Sequence, residues 1–247
     1  MRDMHDLKGR SVLITGAAKR IGRALALAFA DAGANVAITY LSSNEEAART
    51  LEALKQRPGR FLALPADVRK TESVQAIVHK VQVEFGGLDV LVNNAAVYET
   101  VDFEAITMEQ WDRMFETNTR GPFLMTQAAV PCLRARRGRV INIGSLGGLR
   151  PWASHAHYCA SKAAVVMLTQ TMAKALAPEI AVNCVAPGMI SGGESGPDPF
   201  AEKIAAKTPM KRTGATSDVA EAVLFFATAT HFITGQILAV DGGLGLE

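Results

Sequence analysis

The chain reads as an α/β protein, a doubly wound parallel sheet with helices on both faces. Three observations predict this class. Short apolar runs alternate with segments of helical period along the whole chain. The first run, Ser11-Val12-Leu13-Ile14-Thr15, has no polar alternation, as a strand buried on both faces requires. It then enters a glycine-bearing turn, Gly16 to Gly22, and a helical pattern follows. Strand, glycine turn and helix make the opening of a dinucleotide-binding unit.

Composition bounds the rest. With 247 residues, 49% of them hydrophobic, the chain can bury one large core, and a single domain over residues 1–247 is expected. A formal net charge of +2 makes no case for nucleic acid or for a membrane surface. Cys132, Cys159 and Cys184 are scattered, odd in number and lack zinc-ligand spacing. They read as free thiols of a reducing compartment, and no metal is expected. No apolar run is long enough for a bilayer, and the first ten residues lack a signal-peptide core, so a cytoplasmic location is expected.

The elements follow in order. The first helix is expected over 23–32, ended by Gly33. Glycines in the turn allow close backbone approach, and the helix N-terminus attracts a pyrophosphate. No G-K-S/T follows, which excludes a Walker loop. The second strand is 35–40. An NAD-binding unit places an acidic residue near this strand's end to hold the ribose 2′-hydroxyl. Here Tyr40-Leu41-Ser42-Ser43 stands instead, and Lys19 and Arg20 lie in the facing turn. A cation with hydroxyls, and no competing carboxylate, suits a 2′-phosphate. NADP(H) is therefore favoured, with NAD(H) as the alternative.

A helix over 45–56 and a strand over 60–64 lead to Asp67-Val68. Residues 71–85 form a helix, with Thr71 as its N-cap. The strand 88–92 ends in Asn93-Asn94-Ala95-Ala96, small residues that let a ribose or a flat ring approach the backbone. Segments 107–118 and 121–135 read as one long helix broken at Gly121-Pro122. Arg134, Arg136, Arg137 and Arg139 gather where cations meet a helix C-terminus. They lack the interleaved aromatics of a single-strand nucleic-acid site. Residues 140–144 form a strand, and 160–177 a helix. Residues 181–186 form a sixth strand, ending at Pro187-Gly188. The Gly-, Ser- and Pro-rich stretch at about 189–210 reads as a mobile lid with a short helix over 199–207. Ser217 is the expected N-cap of a helix over 218–229, and 236–240 is the last strand.

The stretch from Ser145 to Lys162 carries the chemistry. Ser145 ends a strand, where open α/β sheets bind ligands. In Tyr158-x-x-x-Lys162 the two side chains share one helix face. A tyrosine with an ordinary pKa of about 10 is a poor proton carrier at neutral pH. A nearby cation favours the phenolate and tunes it to exchange a proton with a carbonyl or an alcohol.

Taken together, the chain resembles the short-chain dehydrogenase/reductase family over nearly its whole length. The matching pieces are Thr15-Gly16 to Gly22, Asp67-Val68, Asn93-Asn94-Ala95, Asn118, Ser145, Tyr158-x-x-x-Lys162, Asn183, Pro187-Gly188 and Asp241-Gly242-Gly243. The resemblance implies a single Rossmann domain and roles for these residues. Tyr158 is the acid/base, and Lys162 lowers its pKa and holds the nicotinamide ribose. Ser145 binds the substrate oxygen, and Asn118 holds a water of a proton relay. Gly16, Ile21 and Gly22 approach the pyrophosphate. Asp67 and Val68 flank the adenine, and Asn94 and Ala95 lie by the cofactor ribose. Pro187, Gly188 and the backbone through Ile190 hold the nicotinamide. The partner implied is a small carbonyl or alcohol substrate, and a homotetramer is implied, with the Asn118- and Tyr158-bearing helices packed across a dimer contact.

Three features depart from the common pattern. Arg20 replaces the middle glycine, as in pteridine reductases. Ser145 stands where those enzymes usually carry aspartate, and so resembles the 3-oxoacyl-carrier-protein reductase branch. Leu41 replaces an arginine common in NADP-binding members. A carbonyl reductase of the 3-oxoacyl type is the first reading. A pteridine or dihydrofolate-type reductase is the second, and a non-catalytic nucleotide-sensing protein the third. His155 and His157 are expected as loop residues at the substrate mouth. Trp152 is a candidate pocket wall, and Asp241 is a structural residue near a subunit contact.

Overall fold

The computed structural model describes residues 7–191 and 199–246. Seven strands make one parallel sheet: β1 (Ser11–Ile14), β2 (Asn35–Tyr40), β3 (Phe61–Pro65), β4 (Val90–Asn93), β5 (Arg139–Ile143), β6 (Ala181–Pro187) and β7 (Ile237–Val240). Their order is β3-β2-β1-β4-β5-β6-β7. The chain winds outward from β1 in one direction, then returns to β4 and winds in the other. The reversal between β1 and β4 opens a crevice at the carboxyl ends of the strands, where this class of sheet binds ligands.

Each face of the sheet is covered by helices. On one side α1 (Arg20–Asp31), α2 (Asn44–Lys55) and α8 (Thr216–Thr228) press Leu25, Phe29, Leu54, Val223 and Phe226 onto Val12, Ile14, Val36, Ile38 and Val92. On the other, α3 (Thr71–Phe85), α5 (Gly121–Arg136) and α6 (Ala156–Leu176) press Val74, Val81, Met125, Leu133 and Met172 onto Leu13, Leu91, Val140 and Val182. Strand residues alternate between the two clusters, the period-two consequence of the pleat. A buried polar ladder fixes α6 against the sheet. Asn93 Nδ2 donates to Asn142 Oδ1 at 2.8 Å, and Asn142 Nδ2 donates to Thr169 Oγ1 at 2.8 Å. Buried polar groups of this kind specify one packing because a shifted partner would leave them unpaired.

The elements differ from expectation at their ends. Helix α1 begins at Arg20, three residues early, and Arg20 sits in the left-handed region at φ +53. Helix α6 begins at Ala156, so Tyr158 lies in its first turn. Thr71 is the first residue of α3 and Lys70 is the N-cap. Ser217 lies inside α8, whose N-cap is Ala215. The backbone N–H there donates to the Asp218 carboxylate at 2.7 Å. The expected break at Gly121-Pro122 is a π-helical turn, Glu116–Arg120, between α4 (Met108–Phe115) and α5, and Pro122 sits in the first turn of α5. Helix α4 opens with a capping box. Thr107 Oγ1 accepts from the Gln110 N–H, and the Thr107 N–H donates to Gln110 Oε1.

Helix α7 (Pro199–Lys207) occupies the expected positions within the segment read from the sequence as a lid, and residues 192–198 of that segment lie outside the described residues. Three of the clustered arginines have structural partners. Arg134 pairs with Glu179, Arg136 donates to the Gly86 carbonyl, and Arg139 donates to the Ala229 carbonyl. Arg137 ends α5 in the left-handed region at φ +49. Among the described residues no helix is long and apolar enough to cross a membrane.

Candidate active site

A cleft of about 1350 Å³ runs across the carboxyl ends of the strands at the β1/β4 reversal. Its walls include Gly16, Lys19, Arg20, Ile21, Gly22, Tyr40, Ser42 and Ser43 from the first two turns. Asp67, Val68, Asn94 and Ala95 follow from the turns after β3 and β4. Ser145, Tyr158, Lys162, Pro187, Gly188 and Ile190 complete it. Of the expected site residues only Asn118 is outside the lining, buried behind it.

The glycine turn is a backbone cradle. Gly16 has φ +62, and a Cβ there would stand 2.7 Å from Ala95 Cα. A Cβ on Gly22 would stand 2.6 Å from both Ala17 Cα and the Gly16 carbonyl oxygen. Thr15 locks this turn to the end of β4, because its Oγ1 accepts from the Asn94 and Ala95 N–H groups at 3.0 Å each. Asn94 Nδ2 returns two bonds of 2.9 Å to the Thr15 and Gly16 carbonyls. The side chain of Asn94 therefore shapes the cradle rather than pointing a free donor into the cleft.

Next to the cradle, Lys19 Nζ donates to Glu46 Oε1 at 3.3 Å. A backbone hydrogen bond and this lysine hold the Glu46 carboxyl below its usual range. The expectation of no competing carboxylate is thus corrected. The second strand ends without one, but the first turn of α2 supplies it in space. Asp67 is held low by Arg69, which donates to its two oxygens at 2.9 and 2.8 Å.

At the other end, burial sets the electrostatics. Lys162 is 3% exposed, and its Nζ donates to the Ile143 carbonyl at 2.8 Å. Burial pushes its pKa down to about 8. The Tyr158 phenol is pushed up, chiefly by burial, and its hydrogen bond with Ser145 opposes that rise. The expected lowering of the tyrosine by Lys162 is absent here, since the ammonium stands 6.0 Å from the ring centroid and faces a carbonyl. Ser145 Oγ accepts from the Gly147 N–H at 3.1 Å. Asn118 sits in the π turn, with Oδ1 accepting from the Val97 N–H at 2.8 Å and Nδ2 donating to Ser161 Oγ at 3.1 Å. It ties α6 to the segment after β4.

Other neighbours were not legible in the chain. Tyr98, Thr100, Arg113 and Thr117 also line the cleft. Arg113 Nη2 and Gln110 Nε2 both donate to Glu99, at 2.8 and 2.9 Å. His157 is not a loop residue. It lies on α6, fully buried, with Nε2 3.7 Å from Glu99. His155 and Trp152 do line the cleft. Asp241 accepts from the Gly243 and Gly245 N–H groups and so shapes the C-terminal turn. Among the described residues no group of three or more His, Cys, Asp or Glu could hold a metal ion.

This geometry has close relatives. The family model described as enoyl-(acyl carrier protein) reductase matches residues 16–245. A 3-oxoacyl-(acyl-carrier-protein) reductase, FabG, of Staphylococcus aureus (strain Mu50) is 38% identical over 240 residues, covering 95% of this chain and 98% of that protein. A short-chain dehydrogenase/reductase of Serratia marcescens BCRC 10948 superposes with a TM-score of 0.92 at 34% identity, covering 98% of this chain and 100% of the other. A blue fluorescent protein from a metagenomic library, solved in complex with NADPH, superposes with a TM-score of 0.90 at 32% identity, covering 97% and 99%. The chain belongs to the short-chain dehydrogenase/reductase family and is an oxidoreductase of that family.

Proposed function

We propose that this oxidoreductase uses NADP(H) to interconvert a carbonyl and a secondary alcohol, within a single domain over residues 1–247. The observation that carries the reading is convergence. The Gly16–Gly22 cradle, whose two end glycines have no room for a Cβ, and the Ser145–Tyr158–Lys162 group line one cleft. The cofactor supplies the hydride, and the protein supplies orientation and the proton.

Gly16, Ile21 and Gly22 would hold the pyrophosphate by close backbone approach. Lys19, Arg20, Ser42 and Ser43, beside Tyr40, would hold the 2′-phosphate. Asp67 and Val68 would border the adenine, and Asn94 and Ala95 the ribose. Tyr158 and Lys162 would bind the nicotinamide ribose, and Pro187, Gly188 and Ile190 the nicotinamide. Ser145 orients the substrate oxygen. Tyr158, protonated at neutral pH as an ordinary phenol is, donates the proton to that oxygen. Asn118 acts as a positioning residue that holds α6 against the loop after β4. The NADPH bound by the metagenomic relative and the reductase activity named for the staphylococcal relative support this reading.

The same reading places the protein in the cytoplasm as a homotetramer. Three free cysteines suit a reducing compartment. Exposed Phe123 on α5 and Met167 on α6 suit a contact between these helices of two copies. Fluorescence titration of the purified chain with NADPH and NADH in parallel tests the cofactor. NADPH should bind about tenfold tighter or better. Equal or tighter NADH binding would contradict the 2′-phosphate site, and binding of neither would contradict the enzyme reading.

A further inference from the structure

We infer that the substrate end of the cleft is an aromatic clamp for an uncharged carbocyclic ketone, or the matching secondary alcohol. The inference rests on the oxidoreductase reading above and names the substrate class of that same site.

Three rings surround the Tyr158 proton donor. Tyr98, from the segment after β4, stacks on His155 with centroids 5.1 Å apart and planes at 27°. It meets the Tyr158 ring edge-on, 5.0 Å away at 86°. Trp152 lies parallel to Tyr158, 6.2 Å away at 14°, and edge-on to His155 at 5.6 Å. These three and Tyr158 line the cleft beside Ser145. Met189, Ile204 and Leu244 add aliphatic wall to it.

The clamp is braced before any substrate arrives. His155 Nε2 lies 2.6 Å from the Tyr98 hydroxyl and 3.0 Å from Thr100 Oγ1. The Val101 N–H donates to the Ser154 carbonyl at 2.9 Å, and Ser154 Oγ donates to Asp102 at 3.3 Å. These bonds zip segment 98–102 to segment 152–155. The indole is seated against Gly147, where a Cβ would stand 3.2 Å from its ring carbons.

The chemistry of the wall selects its occupant. Stacked and edge-on rings favour a flat or compact ring over a chain. A flexible acyl chain would also lose rotational freedom on being immobilised, whereas a carbocycle is already ordered. Among the described residues of this wall, Arg113 is already paired with Glu99 at 2.8 Å, which leaves it a poor anchor for a charged group. A polar heterocycle such as a pteridine would bury its nitrogen edge against His155, Tyr98 and Thr100, which already bond one another. In the reductive step the carbonyl carbon gains the hydride of NADPH, leaving NADP+. The carbonyl π pair moves to oxygen, which takes the Tyr158 proton, and solvent reprotonates the tyrosine.

The test is steady-state reduction by the purified full chain with NADPH. The probes are 1-tetralone, trans-1-decalone, an acetoacetyl thioester and a dihydropteridine. The ring ketones should exceed both other classes by about tenfold or more in kcat/KM. Trp152→Ala should raise KM for 1-tetralone by about fivefold or more with a smaller fall in kcat, and Trp152→Phe should recover most of it. NADPH affinity measured on each variant separates a lost clamp from a lost fold. A thioester or pteridine that matches the ring ketones overturns the clamp, as does a wild type that binds NADPH but reduces no ring ketone. A Trp152→Ala change confined to kcat overturns it as well. Failure of the wild type to bind NADPH would instead overturn the oxidoreductase reading on which the clamp rests.

Discussion

The Lys162 ammonium stands 6.0 Å from the centroid of the Tyr158 ring and spends a 2.8 Å hydrogen bond on the Ile143 carbonyl. Both side chains are shifted toward their neutral forms by burial, the phenol upward and the ammonium down to about 8. At neutral pH the tyrosine carries its proton, as a phenol of ordinary pKa also would, and burial makes it the weaker acid. Carbonyl reduction should hold a steady kcat from about pH 6 to 8. Alcohol oxidation needs the phenolate and should rise toward alkaline pH without a plateau near neutrality. Paired pH–rate profiles check this, and an oxidation plateau at or below about pH 7 would mean that cofactor binding moves Lys162 onto the phenol.

Gly22 occupies a position with no room for a side chain. A Cβ would meet Ala17 Cα and the Gly16 carbonyl at 2.6 Å, both of them backbone. Gly22→Ala should lower stability by about 1–3 kcal/mol and weaken NADPH binding more than tenfold. Thermal unfolding with and without NADPH reads both effects. A variant with full stabilisation by the cofactor would refute the cradle.

Arg20 combines a left-handed backbone with a charge. Its φ of +53 costs a non-glycine residue about 1 kcal/mol. Arg20→Gly and Arg20→Ala should lose NADPH affinity to the same extent, several-fold, since both remove the guanidinium. Only Arg20→Gly relieves the strain, so it should unfold at a higher temperature than Arg20→Ala. Equal NADPH affinity in wild type and both variants would remove Arg20 from the phosphate site.

Glu46 holds Lys19 at 3.3 Å, where a 2′-phosphate is expected to need that lysine. Glu46→Gln frees the cation and removes a like charge. NADPH affinity should rise about threefold to tenfold and NADH affinity should change little. Parallel titrations of both cofactors read the ratio. An equal change for both would place Glu46 outside cofactor discrimination.

Much of this architecture is legible in the chain because its causes are local. Uniform apolar runs mark strands covered on both faces, and Gly16 and Gly22 mark a turn that excludes side chains. Tyr158 and Lys162 follow from helical spacing. What stays hidden depends on contacts across the fold. Arg20 masks the start of α1, because a left-handed residue there reads as turn. The π turn at Glu116–Arg120 has ordinary helical composition, and only the packing of Asn118 against Val97 and Ser161 reveals it. Glu46 lies 27 residues from Lys19, so their pairing has no sequence signature. His157 looks like a mouth residue until α6 is seen to begin at Ala156 and turn the imidazole inward. The downward shift of Lys162 comes from burial, which spacing alone does not report.

The most direct test of the central claim, that Tyr158 gives the proton, is Tyr158→Phe assayed beside wild type. NADPH affinity and carbonyl reduction are measured on the same preparations, with whichever probe ketone or thioester the wild type reduces fastest. Removing the hydroxyl should weaken NADPH binding by no more than about tenfold, the loss of one ribose contact, and cut kcat by about a thousandfold or more. A variant that binds NADPH and retains more than about a tenth of the wild-type kcat would show that the proton comes from another group.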